Sequence, residues 1–282
     1  MIKAPPINEN NLLRWYNNTT PTLSTSQYVE GVHNGYLYKW RNHSDPLPIL
    51  VNDTLTFYTN FDSDIVGANT IKVAIDGVVI NDVTKYVVSS SVWGSNNNKI
   101  TLTIPATNTA NNKVINLVIV DGIDTILYKS NCLIVKQYTE KNINNTHLLK
   151  FYHNNNIYDY EWGIYDVMVD TPYTVRVPSS IKDVSYPVEK TIYKSATSGR
   201  SRVTRAVNEK KYNFEIYYGQ EATHDSIAII ASLKYFEINN KQYIVDGEYS
   251  VEFEQNLNIY KGVLSLIDVA FGARINTCTT LS

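Results

Sequence analysis

The stretch TIKVAIDGVVI, residues 70–80, predicts a β-hairpin and indicates the fold class of the first half of the chain. Its two apolar runs flank Asp76-Gly77, and both turn residues tolerate the positive φ angles that a two-residue hairpin turn requires. Asp121-Gly122 falls between two apolar runs in the same way. Other strand-length runs are TLTFY from residue 54, KYVVSS from 85, KITLTI from 99, KVINLVIV from 113, IDTILY from 123 and CLIVK from 132. This density of short strands predicts an immunoglobulin-like β-sandwich over residues 46–137, although the Cys…Trp…Cys pattern that usually marks that fold is missing.

The second half of the chain, residues 147–282, is also rich in strand patterns and follows a polar linker at residues 138–146. The runs there are LLKFYH from residue 148, EWGIYDVMV from 161, YTVRVP from 173, VEKTIY from 188 and KYNFEIYY from 211. The segment FEINNKQYIV reads as a hairpin that turns at Asn239-Asn240. We therefore expect a mainly β chain, with an immunoglobulin-like sandwich followed by a second β-rich domain.

One helix is predicted, near residues 223–234. Thr223 can cap it, Asp225 lies in the first turn where the helix dipole favours an acid, and the following residues are apolar nearly all round. This pattern predicts a short buried helix in the second domain. Residues 1–45 show no sustained period and are expected to form an arm or loop-rich cap, with one short strand where Tyr36, Tyr38 and Trp40 alternate with other residues.

Composition limits the classes of protein to which the chain can belong. Its 282 residues suffice for two domains, and a net charge of −2 argues against a dedicated nucleic-acid or membrane-surface protein. The N-terminus has no apolar run that could serve as a signal peptide, and the longest C-terminal apolar stretch, GVLSLIDVAFG, is too short to span a bilayer. We therefore expect a soluble protein made in the cytoplasm. The two cysteines, Cys132 and Cys278, predict neither a disulfide scaffold nor a metal site.

A search for chemistry finds no phosphate loop, dinucleotide fingerprint, nucleophile elbow or His-Glu-x-x-His motif, so no enzyme, cofactor or metal is expected. The consecutive residues His224, Asp225 and Ser226 would point about 100° apart on a helix and could not form a relay. A second set of candidates, for metal binding, consists of His147, His153, Asp159 and Glu161. The spacing of these residues matches no zinc site.

Two charged segments are the remaining candidates for a functional surface. A basic segment, residues 190–211, holds seven Lys or Arg and one acid, and we expect it to form a loop of roughly 12–15 residues between two strands. An acidic strip consists of Asp246, Glu248, Glu252 and Glu254. If residues 248–254 form a strand, its three glutamates share one face. Their spacing is within reach of a glycosidase pair, but a solvated or partner-facing surface is the favoured interpretation.

Residues from His147 to Val245 resemble tail and baseplate structural proteins of tailed bacteriophages, of the distal-tail or neck-ring type. The resemblance is carried by EWGIYDVMVDTPYTVRVPS, by PVEKTIYKS with the basic segment, and by KKYNFEIYYGQEATHDSIAIIASLKYFEINNKQYIV. This order gives a strand, an arm-like loop, a strand, a helix and a hairpin, and an immunoglobulin-like domain often precedes it in such proteins. The resemblance implies a virion component without enzymatic activity that assembles as a ring.

A ring needs two unlike surfaces that meet between copies, and the two charged segments supply such a pair. We expect the basic segment of one copy to contact the acidic strip of the next copy or of a neighbouring virion protein. The basic interface residues are Lys194, Arg200, Arg202, Arg205, Lys210 and Lys211. The main alternative is a carbohydrate-binding module, in which Trp15, Trp40, Trp93 or Trp162 would stack on sugars. Contact with DNA is less favoured because no aromatic residue lies between Lys194 and Lys211.

Overall fold

A computed structural model describes residues 13, 15–17, 28–33, 36–41, 46–60, 70–93, 97–152, 172–219, 221–233, 235–254, 259–271 and 273–275. The strands of the first half are β1 (Trp15–Asn17), β2 (Tyr28–His33), β3 (Tyr36–Arg41), β4 (Leu47–Leu50), β5 (Thr54–Asn60), β6 (Thr70–Ile75), β7 (Val78–Ile80), β8 (Val87–Trp93), β9 (Asn97–Thr103), β10 (Lys113–Val120), β11 (Ile126–Ser130) and β12 (Leu133–Lys136). Those of the second half are β13 (Thr146–Tyr152), β14 (Tyr173–Ser185), β15 (Val188–Lys194), β16 (Ser201–Asn208), β17 (Lys211–Gly219), β18 (Tyr235–Ile238), β19 (Lys241–Val245), β20 (Ser250–Glu254), β21 (Ile259–Asp268) and β22 (Ala273–Ile275). The helices in the described residues are α1 (Glu140–Asn144) and α2 (Glu221–Ala231).

The first domain is an immunoglobulin-like sandwich, as predicted. One sheet runs β4-β12-β10-β6-β7, and the facing layer runs β5-β9-β8. This order places β5, β9 and β8 as strands B, E and D of the immunoglobulin fold and β6, β10 and β12 as strands C, F and G. Apolar side chains fill the space that a disulfide and tryptophan usually occupy, and those buried there include Phe57, Val73, Ile100, Leu117 and Leu133. Packing of these side chains therefore replaces the covalent link between the two sheets.

The second domain is built on a closed circuit of antiparallel strands. The pairings run β13-β18-β19-β21-β17-β14 and return to β13. The long strand β14 makes closure possible, because its first half pairs with β13 and its second half with β17. The same strand meets the sandwich through the pair Thr174–Thr56. Buried side chains of both domains consequently belong to one continuous core.

Two predicted hairpin turns are confirmed by the backbone. Asp76 and Gly77 have φ of 50° and 78° between β6 and β7, and Asn239 and Asn240 have φ of 50° and 64° between β18 and β19. The prediction of a two-residue turn at Asp121-Gly122 is wrong, since residues 121–125 form a longer loop. The Asp121 carboxylate organises this loop by accepting hydrogen bonds from the backbone amides of Ile123 and Thr125, at 3.0 and 2.8 Å.

The helices differ in detail from the prediction. α2 begins at Glu221, so Thr223 lies inside its first turn rather than capping it. Its buried face contains Ile227 and Ile230, whereas Ala228 is exposed, so the helix packs through one face only. The predicted linker contains the short helix α1, which is capped by Thr139. In the described residues of the predicted N-terminal arm, β1 pairs with β11 and β2 with β3, which gives three strands there where one is predicted.

Tyr249 and Gly262 are in close contact beneath α2. The Tyr249 ring lies directly over Gly262 of β21, where a Cβ atom would overlap it, and the Tyr249 hydroxyl bonds to Nδ1 of buried His224. We expect Gly262→Ala to lower the free energy of unfolding by about 1–3 kcal/mol because the tyrosine must move. Gly122→Ala is the matched control, since its Cβ meets nothing within 4 Å. Urea unfolding of both variants checks the prediction, and equal losses would contradict it.

Candidate assembly surface

The basic segment is ordered as a β-hairpin, so the prediction of an irregular loop is wrong. β15 and β16 pair from Val188–Asn208 at the base to Lys194–Ser201 near the tip. The tip is closed by backbone hydrogen bonds from Ser195 to Arg200 and from Gly199 to Ser195, both 2.9 Å long, and Gly199 has φ of +65°. The β-branched residues of VEKTIYK and RVTRAV favour this extended pairing. We call the hairpin, residues 188–208, the assembly arm.

Most of the arm stands away from the two domains. All seven side chains of β15 are exposed, and among the described residues β22 pairs only with the last three residues of β16, at the base. Ile192 pairs with Val203, and their side chains are 61% and 41% exposed. Tyr193 follows Ile192 in the strand, so its 60% exposed side chain faces the other side of the ribbon. The arm therefore presents apolar side chains on both faces, and an isolated two-stranded ribbon gains little stability in water.

The positive charge of the arm is concentrated toward its tip. The side chains of Lys190, Lys194 and Arg200 are exposed. Arg202 pairs with Tyr193 and Arg205 with Thr191 in the backbone register, and their side chains lie outside the described part of the chain. Between Arg205 and Val203 the register shifts by one residue, which twists the ribbon at that point.

Lys210 and Lys211, which were predicted to belong to the same contact surface, anchor the base of the arm instead. The Lys210 amine lies over the rings of Tyr186 and Tyr212, at 5.9 and 5.0 Å from their centroids. The Lys211 amine donates to the Asp246 carboxylate at 2.5 Å. This hydrogen bond raises the pKa of Lys211 above its usual value. These contacts fix the arm's base to the second domain.

The ion pair between Lys211 and Asp246 also shows that the prediction for the acidic strip is wrong at Asp246. These two residues were expected on opposed surfaces of neighbouring copies, but they neutralise each other within one chain. Gly247, with φ of +85°, breaks the strand, so β20 begins at Ser250 and Glu248 precedes it. Glu248 and Glu252 are exposed, whereas the side chain of Glu254 lies outside the described part. The exposed acidic surface that the structure describes is therefore Glu248 with Glu252.

Strand β20 lies at an edge of its sheet. Among the described residues it pairs only with β21, from Ser250–Val263 to Glu254–Ile259. Lys261, the residue opposite Glu252, has its amine 3.1 Å from Glu215 and neutralises that carboxylate instead. Val251 and Phe253 are 42% and 46% exposed. A strand with an unpaired edge, exposed apolar side chains and acidic flanks is thus available on the body of the molecule.

The histidines considered for chemistry are structural where they are described. His224 donates from Nε2 to the Tyr260 carbonyl at 3.0 Å and lies in the core, while Asp225 is exposed on another side of α2. His147 is buried with its Nδ1 atom 3.0 Å from the Ser179 hydroxyl, and desolvation lowers its pKa to about 4. His153, Asp159 and Glu161 lie outside the described residues.

In the part of the chain that the structure describes, no group of three or more His, Cys, Asp or Glu side chains is placed to hold a metal ion. None of the helices in these residues is long and apolar enough to cross a membrane. The side chains of Trp15, Trp40 and Trp93, and all of Trp162, lie outside the description, so the proposed sugar-stacking residues stay a prediction.

Comparison with known proteins identifies no family for this chain. No family model matches the chain, and no curated protein matches it. One solved structure with some likeness is the crystal structure of the titin domains z1z2 in complex with telethonin, at 14% identity. The match covers 61% of this chain and 84% of that chain, with a TM-score of 0.23. The immunoglobulin-like sandwich is defined by its strand order and not by this likeness.

Proposed function

We propose that the protein is a non-enzymatic structural component of a bacteriophage virion, a ring-forming tail, neck or baseplate protein. The sequence resemblance supports the class of protein, and the assembly arm supports the mode of action. An arm with exposed Ile192, Tyr193 and Val203 on its two faces has too little packing of its own to be explained as an isolated element. Contact with a neighbouring subunit would bury these side chains.

The arm and the body of the molecule offer different surfaces, which favours a head-to-tail contact. In such a contact one patch meets an unlike patch on the next copy, and the series closes into a ring when the rotation permits. The arm carries basic residues and the surface around β20 carries acidic ones, so like surfaces repel each other and unlike surfaces attract. Other copies of this chain and neighbouring virion proteins are the proposed partners.

The expected result is an oligomer in solution whose mass is a multiple of the 32.1 kDa monomer and decreases at high salt. Light scattering at low and high salt measures the mass, and electron microscopy of the same sample shows whether the particles are rings. A monomer at every salt concentration would contradict self-assembly. Retention of that monomer on a polysaccharide array would instead support the carbohydrate-binding alternative.

Removal of the exposed apolar side chains of the arm tests which surface is used. We expect the triple variant Ile192→Ser, Tyr193→Ser and Val203→Ser to remain folded and to lose oligomer mass, because these side chains lie outside the core. The matched control replaces Val78, Val83 and Ile123, which are 64%, 73% and 84% exposed on the sandwich, by serine. The control is expected to assemble normally. Normal assembly of the arm variant would rule out the arm as the contact.

A further inference from the structure

Two strands in the described part of the molecule combine an unpaired edge with exposed charges of opposite sign. β15 pairs only with β16, and β20 pairs only with β21. A strand of this kind carries a row of unpaired backbone N–H and C=O groups and is a template for pairing with another chain. Prolines and bulges commonly block such pairing in soluble proteins. Neither strand contains a proline, and the extra residue at the register shift in the arm, Thr204, belongs to β16 and not to β15.

We infer that β15 of one copy adds as an extra strand to the free edge of β20 on the next copy, so that a continuous sheet crosses the interface. This inference depends on the proposed self-assembly and specifies how it takes place. Main-chain hydrogen bonds would provide the affinity, as in other cases of strand addition, and the side chains would set the register.

The charges on the two strands have the same spacing. Lys190 and Lys194 are four residues apart in β15, and Glu248 and Glu252 are four residues apart at β20. Lys190 and Lys194 share one face of β15, whereas Glu252 lies in β20 and Glu248 precedes that strand. An added strand that extends past Ser250 can bring both lysines near both glutamates, in either strand direction. All four side chains are exposed, and none forms an ion pair with another described residue of its own chain. The pairing between copies would therefore disrupt no observed ion pair.

The apolar side chains fit the same arrangement. Tyr193 lies on the face of β15 opposite to the two lysines, and Val251 and Phe253 lie on the face of β20 opposite to Glu252. When the lysines and glutamates share one face of the joint sheet, the exposed tyrosine, valine and phenylalanine share the other. Ile192 also lies on the lysine face and Glu189 on the tyrosine face. The charge pairs and the contact of Tyr193 with the apolar residues of β20 therefore set the register, and a shift by one residue would lose both.

Charge reversal and charge exchange test this pairing. We expect the variants Lys190→Glu/Lys194→Glu and Glu248→Lys/Glu252→Lys to be monomeric, and the variant that combines all four substitutions to assemble again. The control Lys85→Glu/Lys141→Glu makes the net charge more negative at exposed positions elsewhere, by as much as the lysine variant does, and is expected to assemble like the wild type. Light scattering gives the mass and circular dichroism checks that every variant is folded.

Disulfide trapping identifies the strands in contact. Lys194→Cys is combined with Glu248→Cys, which an antiparallel addition brings together, or with Glu252→Cys, which a parallel addition brings together. Cross-linked oligomers on a non-reducing gel from either double variant, absent from the wild type and from each single variant, support strand addition. A wild-type ring without cross-links and without sensitivity to charge reversal would overturn this inference alone. A wild-type monomer would overturn the proposed self-assembly together with it.

Discussion

Replacing Arg176 by Met is expected to lower the free energy of unfolding by about 3–5 kcal/mol, since it leaves a buried carboxylate without its partner. Arg176 of β14 donates from Nε and Nη2 to the two oxygens of Asp53, at 2.5 and 2.7 Å. The side chains are 6% and 7% exposed. Asp53 also accepts a hydrogen bond from the Leu50 amide at 2.8 Å, and Arg176 binds the Thr146 carbonyl at 3.0 Å. This network joins the sandwich to the second domain.

The double variant Asp53→Asn/Arg176→Met separates loss of a charge from loss of the pair. It removes both charges and keeps a side-chain oxygen for the Leu50 amide, so we expect it to recover a large part of the stability lost in Arg176→Met. The exposed pair Lys113–Asp76, at 3.3 Å, is the matched control. Lys113→Met is expected to change the free energy of unfolding by less than about 1 kcal/mol. Urea unfolding measures the free energy of unfolding of all three variants. A loss below about 1 kcal/mol for Arg176→Met would contradict the prediction.

The sequence predicted those turns whose conformation is set by the turn residues themselves. The turns at Asp76-Gly77 and Asn239-Asn240 were predicted because those residue types accept positive φ wherever they occur between two strands. The loop after β10 was mispredicted from the same kind of signal. There the Asp121 side chain binds two later amides, and Asp124 rather than Gly122 takes the positive φ, at 64°.

The sequence patterns could not predict which distant strands pair with each other. An apolar run indicates a strand without naming its neighbour, so nothing predicted that β13 and β18 pair across nearly 90 residues of chain. Lys150 and Glu237, whose amine and carboxylate are 3.1 Å apart, are one consequence of that pairing. The closed circuit of the second domain depends on such pairs and could be found only in the structure.

The same limitation explains the errors at the assembly surface. The charges of the basic segment and the acidic strip were correctly counted, but the sequence could not show that Lys211 and Asp246 are neighbours in one chain. Their contact arises because β17 and β19 both pair with β21. The hairpin was missed because its Ser, Gly and basic residues suggested a solvated loop, although alternation in VEKTIYK was a usable signal.

Acidification is expected to remove about 3 kcal/mol of stability through His147 alone. Its imidazole is 7% exposed, packs edge-to-face on Phe214 at 5.6 Å and lies near the Arg176 guanidinium. Burial lowers its pKa from 6.5 to about 4, and the nearby positive charge acts in the same direction. The unfolded chain therefore binds a proton below pH 6.5 that the folded protein accepts only near pH 4. The free energy of unfolding falls through this window, at about 1.4 kcal/mol for each pH unit.

The variant His147→Asn isolates this contribution, because Asn can still reach the Ser179 hydroxyl and does not titrate. We expect the wild type to lose more stability than the variant between pH 7 and pH 4, with the difference developing only below pH 6.5. Carboxylates whose pKa is lowered by lysine partners, such as Glu215, lose their contribution at lower pH and in both proteins alike. Urea unfolding at several pH values gives the difference. Parallel pH profiles would show that His147 is protonated in the folded protein and that its ring is reached by water.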